Sequence, residues 1–284
     1  MKILMFIALN CFCYLALIVV SVDCSTLNDR FVARKRPVKL NPSIAEERVS
    51  GGDSLTDTRY KFQTQIKQLN QHICGAVWID KKWALTAAHC LYGNNRDISK
   101  LSIVSEFNSN NRLLVDTLNL INVKIHPNYN PLTLENNIAL IEVSQSRSIT
   151  VKLPQPGTKF TDYVTLVGFG SNSNRVPRET NEKRIVSIPM ASITRCRNLY
   201  SQQLIKDGML CAGNSYTGKG LCQGDSGSGI TQHDQEFDVE ILVGIGSFGF
   251  DCGNGKFPSV FTAVADYVQW INETMSNKIE DDKL

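Results

Sequence analysis

Residues Ile73–Ile79 read Ile-Cys-Gly-Ala-Val-Trp-Ile, a short apolar run that is rich in side chains favouring β-strands. Comparable runs follow along the chain, separated by turn residues about every ten positions. They include Asn137–Val143, Tyr163–Val167, Ile241–Ile245 and Ser259–Thr262. Short apolar runs bounded by Gly, Asn, Pro and Ser are typical of sandwiches and barrels, so the sequence predicts an all-β fold.

One helix is predicted, at the C-terminal end of the domain. Asp266–Met275 places Tyr267, Ile271 and Met275 four residues apart, which puts them on one helical face. We therefore expect a helix from about residue 266 to residue 276. Asn272 begins the sequon Asn-Glu-Thr, which predicts N-glycosylation if this side chain faces solvent.

The first 24 residues are predicted to form a secretory signal peptide. Lys2 precedes an apolar run from Ile3 to Val20, and small residues follow. The alternative is a membrane anchor, because this run approaches the length that spans a bilayer. Its extreme N-terminal position and the small residues after it favour cleavage, after either Ser21 or Cys24. The sequence thus predicts a secreted, extracellular protein that has no membrane attachment once the signal is removed.

Residues 25–48 lack any hydrophobic period and are predicted to be a leader rather than a folded unit. They contain the basic cluster Arg34-Lys35-Arg36 and end at Glu46-Glu47-Arg48. A basic cluster can bind heparin or nucleic acid, but such runs are more often solvated strips that proteases reach.

The composition excludes two classes of protein. The chain has 284 residues, 42% of them hydrophobic, and a net charge of only +3, which excludes intrinsic disorder. Residues 1–48 hold seven Lys and Arg against four Asp and Glu, and the remaining 236 residues hold 23 of each. The domain therefore lacks the basic footprint of a nucleic-acid binder, and none is expected as a partner.

The nine cysteines predict disulfides. Cys11 and Cys13 lie in the signal and Cys24 lies at its margin, which leaves an even number in the exported chain. A metal site is the alternative, but no Cys-x-x-Cys pair occurs and none is predicted. Six cysteines allow fifteen pairings. Sequence spacing favours three short loops, Cys74–Cys90, Cys196–Cys211 and Cys222–Cys252.

A histidine and a serine each lie next to one of these cysteines. His89 precedes Cys90 in Thr-Ala-Ala-His-Cys, and Ser226 follows Cys222 in Gly-Asp-Ser-Gly-Ser-Gly. Taken singly, such a histidine is more often structural and such a glycine-rich turn is more often a loop. Together, a base and a nucleophile that are held by disulfides suit acyl transfer, which needs rigid geometry.

These motifs resemble the chymotrypsin- and trypsin-type serine protease family from residue 49 to about residue 275. The resemblance implies two antiparallel six-stranded β-barrels, at about 49–160 and 161–265, with the cleft between them and a C-terminal helix. It assigns His89 as the general base, Ser226 as the nucleophile, and the N–H groups of Gly224 and Ser226 as the oxyanion hole.

The resemblance also implies activation by cleavage. Arg48 followed by Val49-Ser50-Gly51-Gly52 resembles the family's activation junction. Cleavage after Arg48 by another protease would free the Val49 amino group to pair with Asp225, so the uncut chain is expected to be a zymogen.

The third triad position departs from the family, because the orienting aspartate falls on Asn137. An amide can donate to the histidine Nδ1, which turns Nε2 into a donor that cannot act as base. We therefore expect strongly attenuated activity. Glu135 is the nearest carboxylate, but on a strand it would lie about 6–7 Å away, so rescue is not expected. Ser228-Gly229 stands where the family has Gly-Pro, with a smaller expected effect.

The resemblance places the specificity pocket at Gly220, Gly249 and Ser259. Gly220 at its base offers no counter-charge, so we expect a neutral or apolar side chain at the cleaved position. The alternative is that the carboxylate of Asp251, at the rim of the pocket, attracts a basic side chain of the substrate. Ser247-Phe248-Gly249 resembles the strip that pairs with the substrate backbone.

Two functions are therefore predicted. The first is a secreted endopeptidase zymogen that hydrolyses peptide bonds of protein or peptide substrates through a Ser226 acyl-enzyme. The second is a non-catalytic serine protease homologue that binds or regulates a partner. Both are expected to act as a monomer without metal or other cofactor.

Overall fold

The structure is a computed structural model. It describes residues 53–281 except for 55–57, 94–96, 110–111, 147–148, 157, 172–182, 202, 214–218, 251 and 253–255. All described residues lie in the unit Glu46–Leu284, the second of two into which the chain divides. The predicted signal and leader, the junction at Arg48 and Val49, and Asp251 lie outside the described residues.

Six strands close the first barrel. After the short strand β1 (Asp53–Ser54), the chain forms β2 (Gln63–Gln68), β3 (Gln71–Trp78), β4 (Trp83–Thr86), β5 (Leu101–Ser109), β6 (Arg112–Ile125) and β7 (Ala139–Val143). The order around this barrel is β2-β3-β4-β7-β6-β5, and every pair is antiparallel.

A second antiparallel barrel follows. Its strands are β8 (Tyr163–Gly168), β9 (Arg184–Ala191), β10 (Met209–Ala212), β11 (Gly229–Asp234), β12 (Val239–Phe248) and β13 (Ser259–Ala263). The order is β9-β10-β13-β12-β11-β8, and pairing of β8 with β9 closes the ring, while β1 adds to β9 outside it. The predicted all-β class with two six-stranded barrels is confirmed.

Within the described residues, two α-helices accompany the barrels. Helix α1 (Ile193–Tyr200) is capped by Ser192, whose hydroxyl accepts the Arg195 N–H at 3.3 Å. Helix α2 (Val268–Asp281) follows a 3₁₀ turn and runs further than predicted. The predicted C-terminal helix is confirmed, and α1 was not predicted because it is short and its buried residues Cys196 and Tyr200 set up no long apolar period. None of the helices in the described part of the chain is long and apolar enough to span a bilayer.

The apolar runs form the core. All five side chains of β7 are buried, and the second half of β3 is buried as well. Burial on both faces explains why these strands read as continuous apolar runs rather than alternating ones. The main cluster extends from the first barrel to Leu242 and Ile245 on β12 and to Ile271 on α2. Its breadth ties the two barrels and the terminal helix together.

Three disulfides are present: Cys74–Cys90, Cys196–Cys211 and Cys222–Cys252. They are the three pairs that sequence spacing favoured. The first joins β3 to the segment after β4, and the third joins the segment before β11 to the segment after β12. Both of these segments carry candidate site residues.

Candidate active site

His89 lies in a single 3₁₀ turn, Ala88–Cys90, that follows β4. Its neighbours Ala88 and Cys90 are fully buried, and the Cys74–Cys90 disulfide fastens the turn to β3. The imidazole itself is only half-buried. The small side chains of the motif let the turn pack into the barrel end while the ring points outward to the surface.

Ser226 lies in a tight turn, Gly224–Gly229, which we call the serine turn. Gly224 and Gly227 have φ angles of +92° and +81°, which favour glycine. A Cβ on Gly227 would also collide with the Gly75 carbonyl and the Thr86 hydroxyl. The Ser226 carbonyl accepts the Gly75 N–H at 2.7 Å, so β3 of the first barrel holds the turn.

Two N–H groups of the serine turn are available to a ligand. Among the described residues, neither the Gly224 N–H nor the Ser226 N–H donates a hydrogen bond within the chain. The neighbouring groups are occupied, because Asp225 N–H donates to Cys222 and Gly227 N–H donates to Gly246, at 3.0 and 2.8 Å. The arrangement fits an oxyanion site, as predicted from the resemblance.

Two contacts at this turn were not anticipated from the sequence. His72 on β3 places Nε2 2.8 Å from the Gly224 carbonyl, and the Gln63 side-chain oxygen accepts the Gly229 N–H at 3.0 Å. A proline at position 229 would lack that N–H. The departure from the family at Gly229 thus adds a hydrogen bond that joins the barrels.

Asp225 is fully buried beside the nucleophile. Its two carboxylate oxygens accept the Gly170 N–H at 2.8 Å and the Cys222 N–H at 3.0 Å. Burial raises the pKa of Asp225 to about 6, and these two hydrogen bonds and the Arg184 charge oppose that rise. A Cβ on Gly168 or Gly170 would collide with this carboxylate, so the sequence Gly-Phe-Gly after β8 belongs to the site. In the sequence, the pair of glycines that flank Phe169 was the signal that could have revealed this part of the site.

Asn137 is fully buried and makes three contacts with His89. Its Oδ1 accepts the backbone N–H of His89 at 3.0 Å and lies 3.2 Å from the ring Nδ1, and its Nδ2 lies 2.9 Å from that Nδ1. The same Nδ2 donates to the Ser247 hydroxyl at 2.7 Å. The Thr262 hydroxyl donates to the Asn137 carbonyl at 2.9 Å and fixes the backbone.

These contacts determine which way the amide faces. The His89 backbone N–H can only donate, so the atom opposite it must be the amide oxygen. The amide nitrogen then lies closer to Nδ1 than the amide oxygen does, 2.9 Å against 3.2 Å, and donates to Nδ1 when that atom carries a lone pair. In that tautomer the proton of the neutral imidazole is on Nε2, the atom that a general base needs unprotonated, whereas the other tautomer would donate from Nδ1 to the amide oxygen.

Glu135 does not reach the histidine. Its carboxylate accepts the Thr133 hydroxyl at 2.7 Å, and no hydrogen bond joins it to His89 among the described residues. Among the described residues, the nearest carboxylate in sequence therefore does not take the place of the missing aspartate.

A cavity of about 340 Å³ adjoins Ser226, and we call it the specificity pocket. Its lining includes no carboxylate among the described residues: Leu221, Cys222, Gln223, Ser226, Ser247, Phe248, Gly249 and Cys252. Ser259 faces Gly249, and its Oγ accepts the Leu221 N–H at 2.8 Å. Gly220 is buried and does not contribute to this lining.

Only one group of possible metal ligands occurs in the described residues, namely Cys74, His89 and Cys90. Both sulfurs are in a disulfide, so this group cannot supply thiolate ligands.

Comparison with known proteins identifies the family. The family model described as Trypsin matches residues 49–271. The chain belongs to the trypsin family. It is 32% identical over 254 residues to a trypsin of Phaedon cochleariae, which covers 86% of this chain and 93% of that protein. It is 33% identical to trypsin-1 of Astacus astacus (74% and 91% covered) and 30% identical to trypsin-3 of Salmo salar (82% and 94% covered).

Membership of the trypsin family confirms the resemblance seen in the sequence motifs. A trypsin-like serine protease domain with three disulfides therefore accounts for most of the chain. Membership of the trypsin family does not by itself assign a substrate, because substrate preference depends on the residues that line the specificity pocket of this chain.

Proposed function

We propose that this protein is a secreted serine endopeptidase zymogen whose activity is strongly attenuated by Asn137. The observation that carries the proposal is that Ser226, with two unused N–H groups in its turn, adjoins a substrate-sized pocket. His89 supports it from the turn after β4, where Asn137 contacts the ring, although among the described residues no hydrogen bond joins His89 to Ser226.

The proposed reaction has two steps. Ser226 Oγ attacks the scissile carbonyl and passes its proton to His89 Nε2, while the Gly224 and Ser226 N–H groups stabilise the oxyanion. His89 then protonates the leaving amine, and the peptide C–N bond breaks to give an acyl-enzyme. Water hydrolyses the ester by the same proton path and restores Ser226.

The side-chain amide of Asn137 is the cause of the proposed loss of catalytic activity. With Nε2 protonated, His89 has to change tautomer before it can accept the serine proton, and Asn137 then opposes an N–H on Nδ1 with its own donor. An amide also brings no negative charge to stabilise the imidazolium. The loss in turnover for this replacement is about 10⁴, and the oxyanion hole and substrate binding retain about 10³–10⁴ over the uncatalysed rate.

Activation is proposed to require cleavage after Arg48 by another protease. The freed Val49 amino group would enter the buried site beside Asp225 and lower its pKa by pairing with it. A buried carboxylate that already accepts two N–H groups is suited to such a cation.

The proposed substrates are proteins or peptides with a neutral or apolar side chain at the cleaved position. Gly249 lines the pocket without charge, the lining includes no carboxylate among the described residues, and the Ser259 Oγ behind Gly249 accepts the Leu221 N–H. Ser247, Phe248 and Gly249 end β12 beside the pocket, where an extended substrate could add to the strand.

A second function is favoured by one observation, the orientation of the Asn137 amide. If its donor to Nδ1 holds the wrong tautomer throughout, the chain is a non-catalytic homologue whose cleft binds or regulates a partner. The fold and the pocket are common to both functions.

The last part of the proposal is that the protein is secreted. The apolar segment before residue 21 supports export, and the three disulfides suit an oxidising compartment. Asn272 is exposed on α2 and is proposed to carry an N-linked glycan. We propose a monomer that needs neither metal nor other cofactor and has no membrane or nucleic-acid partner.

The test begins with the secreted chain, cut after Arg48 and freed of the activating protease. The cut chain is titrated with a serine-directed phosphonate, and hydrolysis of neutral peptide amides is followed up to pH 9. A Ser226→Ala chain prepared in parallel measures contaminating activity. Labelling and slow turnover above that control support the peptidase. No labelling and no turnover at any pH establish the non-catalytic homologue instead.

A further inference from the structure

Strands β2 and β3 of the first barrel hold the serine turn of the second barrel. The Gly75 N–H on β3 donates to the Ser226 carbonyl at 2.7 Å. Three residues further along the turn, the Gln63 side-chain oxygen on β2 accepts the Gly229 N–H at 3.0 Å. The nucleophile and the end of its turn are therefore both fastened to the opposite barrel.

Gly229 lies in a tight space between the two barrels. A Cβ at this position would be 2.8 Å from Val77 on β3 and 2.8 Å from Leu242 on β12, which is closer than Cβ atoms approach other atoms. Without a side chain, the backbone comes within hydrogen-bonding distance of Gln63, which is only 1% exposed. Unlike the proline that the family has here, this glycine also has an N–H to donate.

The exchange of proline for glycine changes the stiffness of the turn. A proline at position 229 would fix one backbone angle, whereas a glycine leaves more conformations open. Gly229 is buried, so its N–H would lose both protein and water as partners if the bond to Gln63 were absent. The bond therefore restores a restraint that the proline would have supplied.

The rest of the Gln63 amide does not favour the folded state. Its nitrogen is buried, and among the described residues it has no hydrogen-bond partner. A buried amide nitrogen without a partner is destabilising, so an apolar side chain of the same length would remove that penalty. Among the described residues, the bond to Gly229 is the one hydrogen bond of this side chain, which indicates that Gln63 acts on the serine turn.

The position of the turn matters for the proposed reaction. The Gly224 and Ser226 N–H groups can stabilise an oxyanion only if they are held in place before it forms. A displacement of about 1 Å at a reacting group can cost about 10²-fold in rate. A restraint three residues after Ser226 therefore bears directly on the oxyanion hole.

We propose that Gln63 is a positioning residue of the serine turn. Through its bond to Gly229 it supplies the rigidity that a proline would give, and it keeps the N–H groups of the oxyanion hole in place. The inference rests on the proposed function, because an oxyanion forms only if Ser226 attacks a carbonyl.

The test uses the full secreted chain with Asn137→Asp, cut after Arg48, in which turnover is easier to measure. Gln63→Met keeps the length of the side chain and removes the acceptor. Gln65→Met is the matched control, because Gln65 lies two residues along the same strand and is buried as well. Among the described residues, the side-chain oxygen of Gln65 has no hydrogen-bond partner.

We expect Gln63→Met to lower kcat for a neutral peptide amide, and the rate of phosphonate labelling, by about tenfold, with KM nearly unchanged. The reason is that the bond acts on the oxyanion hole and not on the specificity pocket. The denaturant midpoint is expected to change little, because the loss of the Gly229 bond and the removal of the unpaired amide nitrogen oppose each other. A merely structural role would instead lower the midpoint and leave kcat of the folded enzyme unchanged.

Hydrogen–deuterium exchange gives a second readout that does not need catalysis. The peptide that covers residues 224–230 should exchange faster in Gln63→Met than in the parent chain or in Gln65→Met, because the turn opens more often. If the parent chain neither labels nor turns over, the proposed function fails, and exchange still decides whether Gln63 holds the turn.

Three results would overturn the proposal. The first is that Gln63→Met leaves kcat, labelling and exchange of the serine turn as they are in the parent chain. The second is that Gln65→Met lowers kcat and labelling as much, which would assign the effect to packing of β2. The third is a rise in KM with kcat unchanged, which would place the effect in substrate binding.

Discussion

The side-chain oxygen of Asn137 accepts the backbone N–H of His89 at 3.0 Å, and this bond leaves the amide nitrogen 2.9 Å from the histidine ring. A backbone donor thus decides the side-chain orientation, and that orientation brings the amide nitrogen closer to the ring Nδ1 than the amide oxygen, which lies 3.2 Å from it. Ser247 strengthens the same arrangement, because its hydroxyl accepts the second amide hydrogen at 2.7 Å.

Asn137→Asp should raise turnover of the cleaved chain by about 10³–10⁴, because a carboxylate accepts from Nδ1 and frees Nε2 to act as base. The measurement is kcat for a neutral peptide amide together with the rate of phosphonate labelling. Asn136→Asp is the matched control, since it adds the same charge one residue away, where the side chain contacts Asn128 and Tyr267. An unchanged rate in Asn137→Asp would mean that the serine turn or the pocket is itself defective.

Local patterns and spacing predicted the all-β class and the disulfide pairs, and the family resemblance of the motifs implied the two barrels. It also located Asn137, whose neighbours match the family motif without gaps. The place of Asn137 in the sequence could not show which way its amide faces. That orientation depends on hydrogen bonds with the His89 backbone N–H and with the hydroxyl of Ser247, 110 residues further along the chain.

Other parts of the site were missed because they depend on close approach between distant segments. Gly168 and Gly170 are needed only because the Asp225 carboxylate lies against them.

Asp225 should make the stability of the uncut chain depend on pH. Burial raises its pKa to about 6, so between pH 4 and 6 the folded chain binds more protons at this site than the unfolded chain. The stabilisation is complete below about pH 4 and is lost as the pH rises through 6, a change of about 2–3 kcal/mol.

This dependence can be isolated in an Arg48→Gln chain by urea unfolding at pH 4 and pH 7. At each pH, the unfolding free energy of the Asp225→Asn variant is subtracted from that of the Asp225 chain. This difference should be about 2–3 kcal/mol larger at pH 4 than at pH 7. Equal differences at pH 4 and pH 7 would contradict a raised pKa for the buried Asp225 carboxyl.

Ser228→Ala should stabilise the protein by about 1 kcal/mol. The Ser228 hydroxyl is buried and has no hydrogen-bond partner among the described residues, so removing it relieves a desolvation penalty. The comparison is Thr86→Val, which removes a buried hydroxyl that donates to the Gly75 carbonyl at 2.8 Å and should destabilise by about 1 kcal/mol or more. Denaturant unfolding measures both, and a loss of stability in Ser228→Ala would show that this hydroxyl has a partner, such as a bound water.

Removing the Cys74–Cys90 disulfide by a double alanine substitution should cost about 3 kcal/mol, because the bond closes a loop with a sequence separation of 16. It should also slow phosphonate labelling, since the bond fastens the His89 turn to β3. The Cys196–Cys211 bond is the matched control: its separation of 15 predicts a similar loss of stability, but it lies away from His89. Thermal unfolding and labelling rates separate the two effects, and equal labelling in both variants would rule out a positioning role.

Gly220→Asp should convert the specificity of the pocket, because Gly220 directly precedes Leu221 of the lining and the family resemblance places it at the base. In the Asn137→Asp background, where turnover is easier to measure, we expect the ratio of kcat/KM for arginine over leucine amides to rise about 10- to 100-fold. The physical reason is a charge-assisted hydrogen bond worth about 1.5–3 kcal/mol. Ser259→Gly widens the same pocket without adding charge and should leave that ratio nearly unchanged. If the starting chain already prefers arginine, the positive side chain is being recognised elsewhere, and Asp251→Asn should then abolish the preference.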